Sequence, residues 1–111
     1  MNRFLSVYIT AASLAEAQKI AYALVEARLS ACANIFTGVH SVYRWQGQVE
    51  TAEEVAMIVK TRAEDFAAVE RKVKELHSYA CPCIVAWPIE AGHQPYLDAV
   101  DKETKRSAGS M

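Results

Sequence analysis

At 111 residues, with 12 Lys+Arg against 13 Asp+Glu and a formal net charge of -1, the chain has the size of one domain whose core closes without disulfides or metals. Its 52% hydrophobic and 23% charged residues exclude disorder across the whole chain, and its near-neutral charge argues against a nucleic-acid binder that works by neutralising phosphates. Met1-Asn2-Arg3 runs straight into an alternating segment without a signal-peptide pattern, no apolar run approaches the ~20 residues of a membrane span, and the three cysteines do not suit a paired secreted scaffold, so a reduced cytoplasmic protein is expected, with neither nucleic acid nor membrane as partner.

Phe4 to Thr10 alternates, with Leu5, Val7 and Ile9 on one side and Ser6, Tyr8 and Thr10 on the other, which reads as a strand. Ser13-Leu14-Ala15-Glu16 is a capping-box pattern, and Ile20, Ala21, Leu24 and Val25 recur at helical spacing, so a helix is expected over about 13–28. Ala31 to Ile35 is apolar again and Gly38 marks a turn or bulge. His40 to Trp45 and the segment from Val49 to Val59 make a long hairpin turning at Gln46-Gly47. Thr61-Arg62-Ala63-Glu64 reads as a second capping box, opening a helix whose Phe66, Val69, Val73 and Leu76 share one face and which ends near His77. Ile84 to Trp87 forms a short strand between Pro82 and Pro88, and Pro95, Tyr96, Leu97 and Val100 seat a short last helix.

The order strand, helix, strand, strand, helix, strand, short helix is the split βαβ, ferredoxin-like α+β pattern: two helices on one face of an antiparallel sheet, with a long hairpin between the second and third strands. One domain over 1–103 and a flexible tail over 104–111 are expected. The uncovered face of such a sheet needs a partner, and the apolar run Val55 to Val59 is expected to be covered by other copies of the chain, so that Val59→Lys would lower the oligomer mass.

Ala31-Cys32-Ala33-Asn34-Ile35, then Gly38, Ser41, Tyr43, Trp45 and Gly47, then Glu53-Glu54-Val55 and Lys60-Thr61, closely resemble the CutA family of divalent-cation tolerance proteins. His77, Tyr79, Pro82, Pro88 and Tyr96-Leu97 continue the match across nearly the whole chain. The resemblance implies a ferredoxin-like protomer assembled as a homotrimer. It implies a cytoplasmic role in tolerance of copper and other divalent metals, with no enzymatic reaction and no required cofactor. A metal ion or a small ligand would bind at inter-subunit clefts. The alternative is a signalling trimer resembling the PII proteins, acting through a protein partner with metal effects indirect. After the second helix a typical member reads His-Pro-Tyr-Glu-x-Pro-Glu; here the stretch is His77-Ser78-Tyr79-Ala80-Cys81-Pro82-Cys83, and the cysteine some members carry near Ile9 or Thr10 is absent. Of those metal-ligand positions only His77 carries over by identity.

Cys81-Pro82-Cys83 with His77 upstream is the sharpest local feature, since two thiolates and an imidazole suit Cu(I) or Zn(II). Its plain alternative is that the cysteines pack as small hydrophobes and that His77 complements a helix C-terminus. Arg44, Trp45, Lys60 and Tyr79 are candidates for a ligand cleft that would hold an anion or a carboxylate, against the alternative of cross-strand packing. Cys32 reads as core packing, and His40 and His93 as solvent-exposed or capping. Glu50, Glu53 and Glu54 read as a solvated acidic edge with weak affinity for hard cations. No Gly-x-Ser-x-Gly, P-loop, dinucleotide or His-Glu-x-x-His motif supports a catalytic site.

Overall fold

Alternation along Phe4–Ala11 (β1) sends Val7, Ile9 and Ala11 to a buried face while Ser6 and Tyr8 point the other way. The computed structural model describes residues 3–106. Leu14–Glu26 forms α1, started by Ser13, whose Oγ accepts the Glu16 N–H at 3.1 Å. The helix stops two residues before the expected Arg28 because Arg28 takes the left-handed conformation (φ 60), letting the Leu29 N–H bond the Leu24 carbonyl at 3.0 Å.

Cys32–Trp45 (β2) and Gln48–Arg62 (β3) form the long hairpin. Gln46 and Gly47 both have positive φ (50 and 81), as a tight two-residue hairpin turn requires. Gly38 (φ 75) sits at a bulge between Phe36 and Val39. The second capping box does not form. Thr61 is the penultimate residue of β3 and donates its hydroxyl to the Leu29 carbonyl, and a 3-10 turn at Ala63–Asp65 leads into α2 (Phe66–Leu76) without a side-chain cap. Ile84–Pro88 (β4) and Gln94–Thr104 (α3, with Pro95 in its first turn) complete the chain.

The sheet order is β2-β3-β1-β4 and every neighbouring pair is antiparallel, the ferredoxin-like arrangement. Val7, Ile9, Met57 and Val59 on one face of the sheet pack with Ile20 and Leu24 of α1 and Val69 and Val73 of α2 in a single core. Val59 is fully buried there, so it belongs to the protomer's own interior and does not face another subunit; β3 is a central strand, and the run 55–59 has no bare edge.

The reverse face is only partly covered. α3 packs against β3 at its Arg62 end, where Arg62 Nη2 donates to the Thr104 carbonyl at 3.2 Å. Residues 104–106, expected as the start of a tail, are tied down. Thr104 is fully buried, Arg106 Nη2 meets Asp65 Oδ1 at 2.8 Å and Arg106 Nη1 bonds the Arg28 carbonyl at 2.8 Å. Positions 107–111 lie outside the described residues. Among the described residues no helix is long and apolar enough to cross a membrane.

Candidate functional site

The pairing of β1 with β3 ends at Ala11 opposite Val55. Beyond it, β2 and β3 pair only with each other, from Val39 opposite Glu54 to Trp45 opposite Gln48, and form an arm. Strict alternation puts Ser41, Tyr43 and Trp45 on one face of the arm together with Glu50, the partner of Tyr43, and Glu54, the partner of Val39, continuous with Tyr8 and Thr10 of β1. Across from them lies the loop between α2 and β4, residues 77–83. The arm, β1 and this loop enclose a cleft of about 570 Å3, which Tyr43, Trp45, Glu50, Glu54, Tyr79, Cys81 and Cys83 all line.

The loop is held by a buried histidine. The His77 side chain is withdrawn from solvent and its ring nitrogens have different partners: Nε2 donates to the Thr10 carbonyl at 2.7 Å, and Nδ1 accepts the Tyr79 N–H at 3.0 Å. That pattern needs the neutral ring with its proton on Nε2. Glu16 reaches over from α1 and takes the Ser78 N–H at 2.6 Å and the Ser78 hydroxyl at 2.9 Å. Burial raises the Glu16 carboxyl, but the two Ser78 bonds and the Ala12 N–H together hold it below its ordinary value. A proline at 78 would have no N–H to give, so this tether depends on the serine.

His77 is therefore not a free ligand: a metal on either nitrogen would displace a backbone bond. Among the described residues no group of three or more His, Cys, Asp or Glu lies close enough to hold a metal ion, so His77, Cys81 and Cys83 do not converge as one centre. Cys81 and Cys83 are free thiols on the exposed wall of the cleft and not core hydrophobes. Burial and the Glu54 carboxylate push the Cys83 thiol up, partly opposed by Thr10, so it stays protonated at neutral pH.

Trp45 and Tyr79 do share the cleft. Tyr79 donates its hydroxyl to Glu54 Oε2 at 2.8 Å, and burial together with Glu54 pushes the phenol up to about 12. The other two expected cleft residues are elsewhere. Arg44 lies on the opposite face of the arm from Trp45 by alternation and caps the turn through the Gly47 carbonyl at 3.3 Å. Lys60 is six residues along β3 from Glu54, roughly 20 Å away, and donates to Asn34 Oδ1 at 3.3 Å. With neither cation in the lining, the expected anion site is replaced by a cleft whose charges are carboxylates. Parity was the signal for this: Glu50 and Glu54 share a face of β3 with the aromatic residues, whereas Glu53 opposes His40 on the other. Cys32 is not a bare core residue, since its sulfur lies 3.0 Å from the Tyr96 hydroxyl of α3, and this bond together with burial pushes the Tyr96 phenol up to about 12. His40 is exposed, and His93 caps α3 with its carbonyl alone.

Comparison with known proteins agrees with this architecture. Residues 5–103 match the family model of the CutA1 divalent ion tolerance protein. The divalent-cation tolerance protein CutA of Archaeoglobus fulgidus is 53% identical over 96 residues, covering 86% of this chain and 93% of that protein. The protein of the same description from Thermus thermophilus is 47% identical over 98 residues, covering 88% and 95%. A solved structure of the periplasmic divalent cation tolerance protein CutA from A. fulgidus superposes with a TM-score of 0.88 at 50% identity, covering 95% of this chain and all of that one. The T. thermophilus structure gives 0.90 at 45% identity, covering 92% and 99%.

Proposed function

Because this chain belongs to the CutA1 divalent ion tolerance protein family, we propose that its aromatic and acidic cleft binds the metal cations whose tolerance it serves. As a member of that family it is a divalent-cation tolerance protein and not an enzyme. The finer reading is that soft and divalent ions, copper among them, are its cargo, held by the Cys81 and Cys83 thiols with Glu54 and Glu50 close by. One observation carries it: the cleft lining contains two thiols and two carboxylates and no Lys or Arg. One protomer lacks a full ligand set, so the reading includes a second copy that supplies the remaining donors, within a homotrimer. Support for that assembly comes from the reverse face of the sheet, where Phe36, Val85 and Trp87 stay exposed, and from the unpaired outer edges of β2 and β4. Three free thiols suit a reducing compartment, so we place the protein in the cytoplasm, although the A. fulgidus relative is described as periplasmic.

The test is anaerobic competition for Cu(I) against a chromogenic chelator. Wild type should bind saturably, and the Cys81→Ser/Cys83→Ser pair should lose about tenfold or more in affinity, in line with the preference of Cu(I) for thiolate. His77→Asn should keep the wild-type affinity if the loop holds its shape. Copper binding retained in the double serine variant would remove the cysteines from the site.

A further inference from the structure

The cleft is larger and more aromatic than a bare metal ion requires. At about 570 Å3 it lies in the range of small-molecule sites. Tyr43 and Trp45 stand two residues apart on one face of the arm, and Tyr79 approaches from the loop. Aromatic faces are poor metal ligands but attract ammonium groups through the ring quadrupole. Two carboxylates complete the lining. Glu50 is cross-strand from Tyr43, and Glu54 has one oxygen engaged by the Tyr79 hydroxyl, with no cation paired to either among the described residues. Their Cα atoms are four residues apart on one strand, roughly 13 Å, a span close to the length of an extended aliphatic triamine. From this juxtaposition of a ring beside each of two unpaired carboxylates we propose that the cleft binds a linear organic polyamine, one end ammonium group at Glu50 beside Tyr43 and Trp45, the other at Glu54 beside Tyr79, and its alkyl chain over Ser41 and Ala52 between them.

Two further facts fit this placement. Glu50 and Glu54 are the charged side chains of the lining, so the pocket carries a negative charge that a cation would relieve. Arg44 and Lys60, which would repel a cation, are on the other face and at the far end of the sheet. The inference rests on the same reading of the cleft as a cation site, but it makes different demands on the residues: the rings matter to an amine and not to a metal.

The experiment is calorimetric titration of the full chain with spermidine at physiological salt, with glutarate as the anionic control and Cu(I) competition run in parallel. Spermidine should bind saturably and glutarate should not. Glu54→Gln keeps an acceptor for Tyr79 and should weaken spermidine about tenfold. Trp45→Leu should weaken it about fivefold and Trp45→Phe should restore it, while Cu(I) affinity ignores both changes at 45. Thermal melts of each variant establish that it is folded. Absence of saturable spermidine binding to wild type at millimolar concentration, or equal binding by wild type, Glu54→Gln and Trp45→Leu, overturns the inference. Copper bound with spermidine silent removes this inference and leaves the metal reading; spermidine bound with copper silent does the reverse; silence from both removes both.

Discussion

On β3, Met57 and Val59 are fully buried beneath α1 and α2, while Ile58 between them faces the reverse side of the sheet. There Phe36, Val85 and Trp87 remain 47%, 48% and 49% exposed, although they are as apolar as the residues beneath the helices. The same strands thus serve a closed face and an open one. Burial of a Val, Leu or Ile side chain is worth roughly 1.5–3 kcal/mol, so the helix face holds the protomer together. The reverse face leaves comparable surface uncollected, and α3 covers only the end near Arg62. Apolar surface left open on a folded domain marks a place where something else docks, and here it runs on into the cleft under the arm.

The largest expected effects come from placing one lysine on each face. Val59→Lys puts an unpaired charge into the sealed core and should cost about 4 kcal/mol or more, enough to lose the folded protomer in a denaturation experiment. Trp87→Lys changes a half-exposed residue on the other face, where the charge stays solvated. It should leave circular dichroism and the protomer fold unchanged while lowering the mass seen by light scattering. A Val59→Lys protein that folds and is merely smaller would break the comparison, because it would put Val59 at a surface between copies. An unchanged mass for Trp87→Lys would move the interface off this face.

The contrast explains what the sequence made legible. Periodicity reports burial inside one chain, so the strands, the helices and the ferredoxin-like order follow from Val7, Ile9, Ile20, Leu24, Val69 and Val73. The length of α1 and the start of α2 were less legible, because Arg28 in a left-handed cap and Thr61 bonding Leu29 are decided by tertiary neighbours. The run Val55 to Val59 reads as continuously apolar because alternate residues serve two faces, Val55, Met57 and Val59 the core beneath the helices and Ala56 and Ile58 the reverse side of the sheet. In the site, Trp45 and Tyr79, singled out for their rings, line one cleft. Arg44 and Lys60 were not excluded, because chain proximity hides which face a strand residue takes. Nothing local announces that Glu16 and Ser78, separated by 62 residues, share two hydrogen bonds.

That Glu16 tether joins the two regions, since it runs from the helix layer to the loop that walls the cleft. Glu16→Gln should cost about 1–2 kcal/mol near neutral pH, the usual worth of hydrogen bonds to a charged group. The sign follows from the lowered carboxyl. Its contribution is fully present above the ordinary value of 4.5 and is lost as pH falls through the lower folded value. The urea midpoints of wild type and variant should therefore differ at neutral pH and converge well below 4.5. A gap that persists in acid would mean that the packing of Glu16, and not its charge, holds the loop.

The smallest effect lies at the tip of the arm, farthest from the helix layer. Gln46 holds φ 50, a conformation that costs an L residue about 1 kcal/mol and that asparagine tolerates better. Gln46→Asn ahead of Gly47 should therefore stabilise the turn by about 0.5 kcal/mol. Where that gain appears depends on how the arm is coupled to the sheet. If the arm unfolds together with the protomer, the midpoint of global unfolding rises. If the arm opens alone, the midpoint stays put and only the amide protons between Val39 and Glu54 exchange more slowly. The second outcome would make the arm a separately opening wall of the cleft, with access to Trp45 governed by a hairpin held on one side by the sheet and on the other by whatever covers the open face.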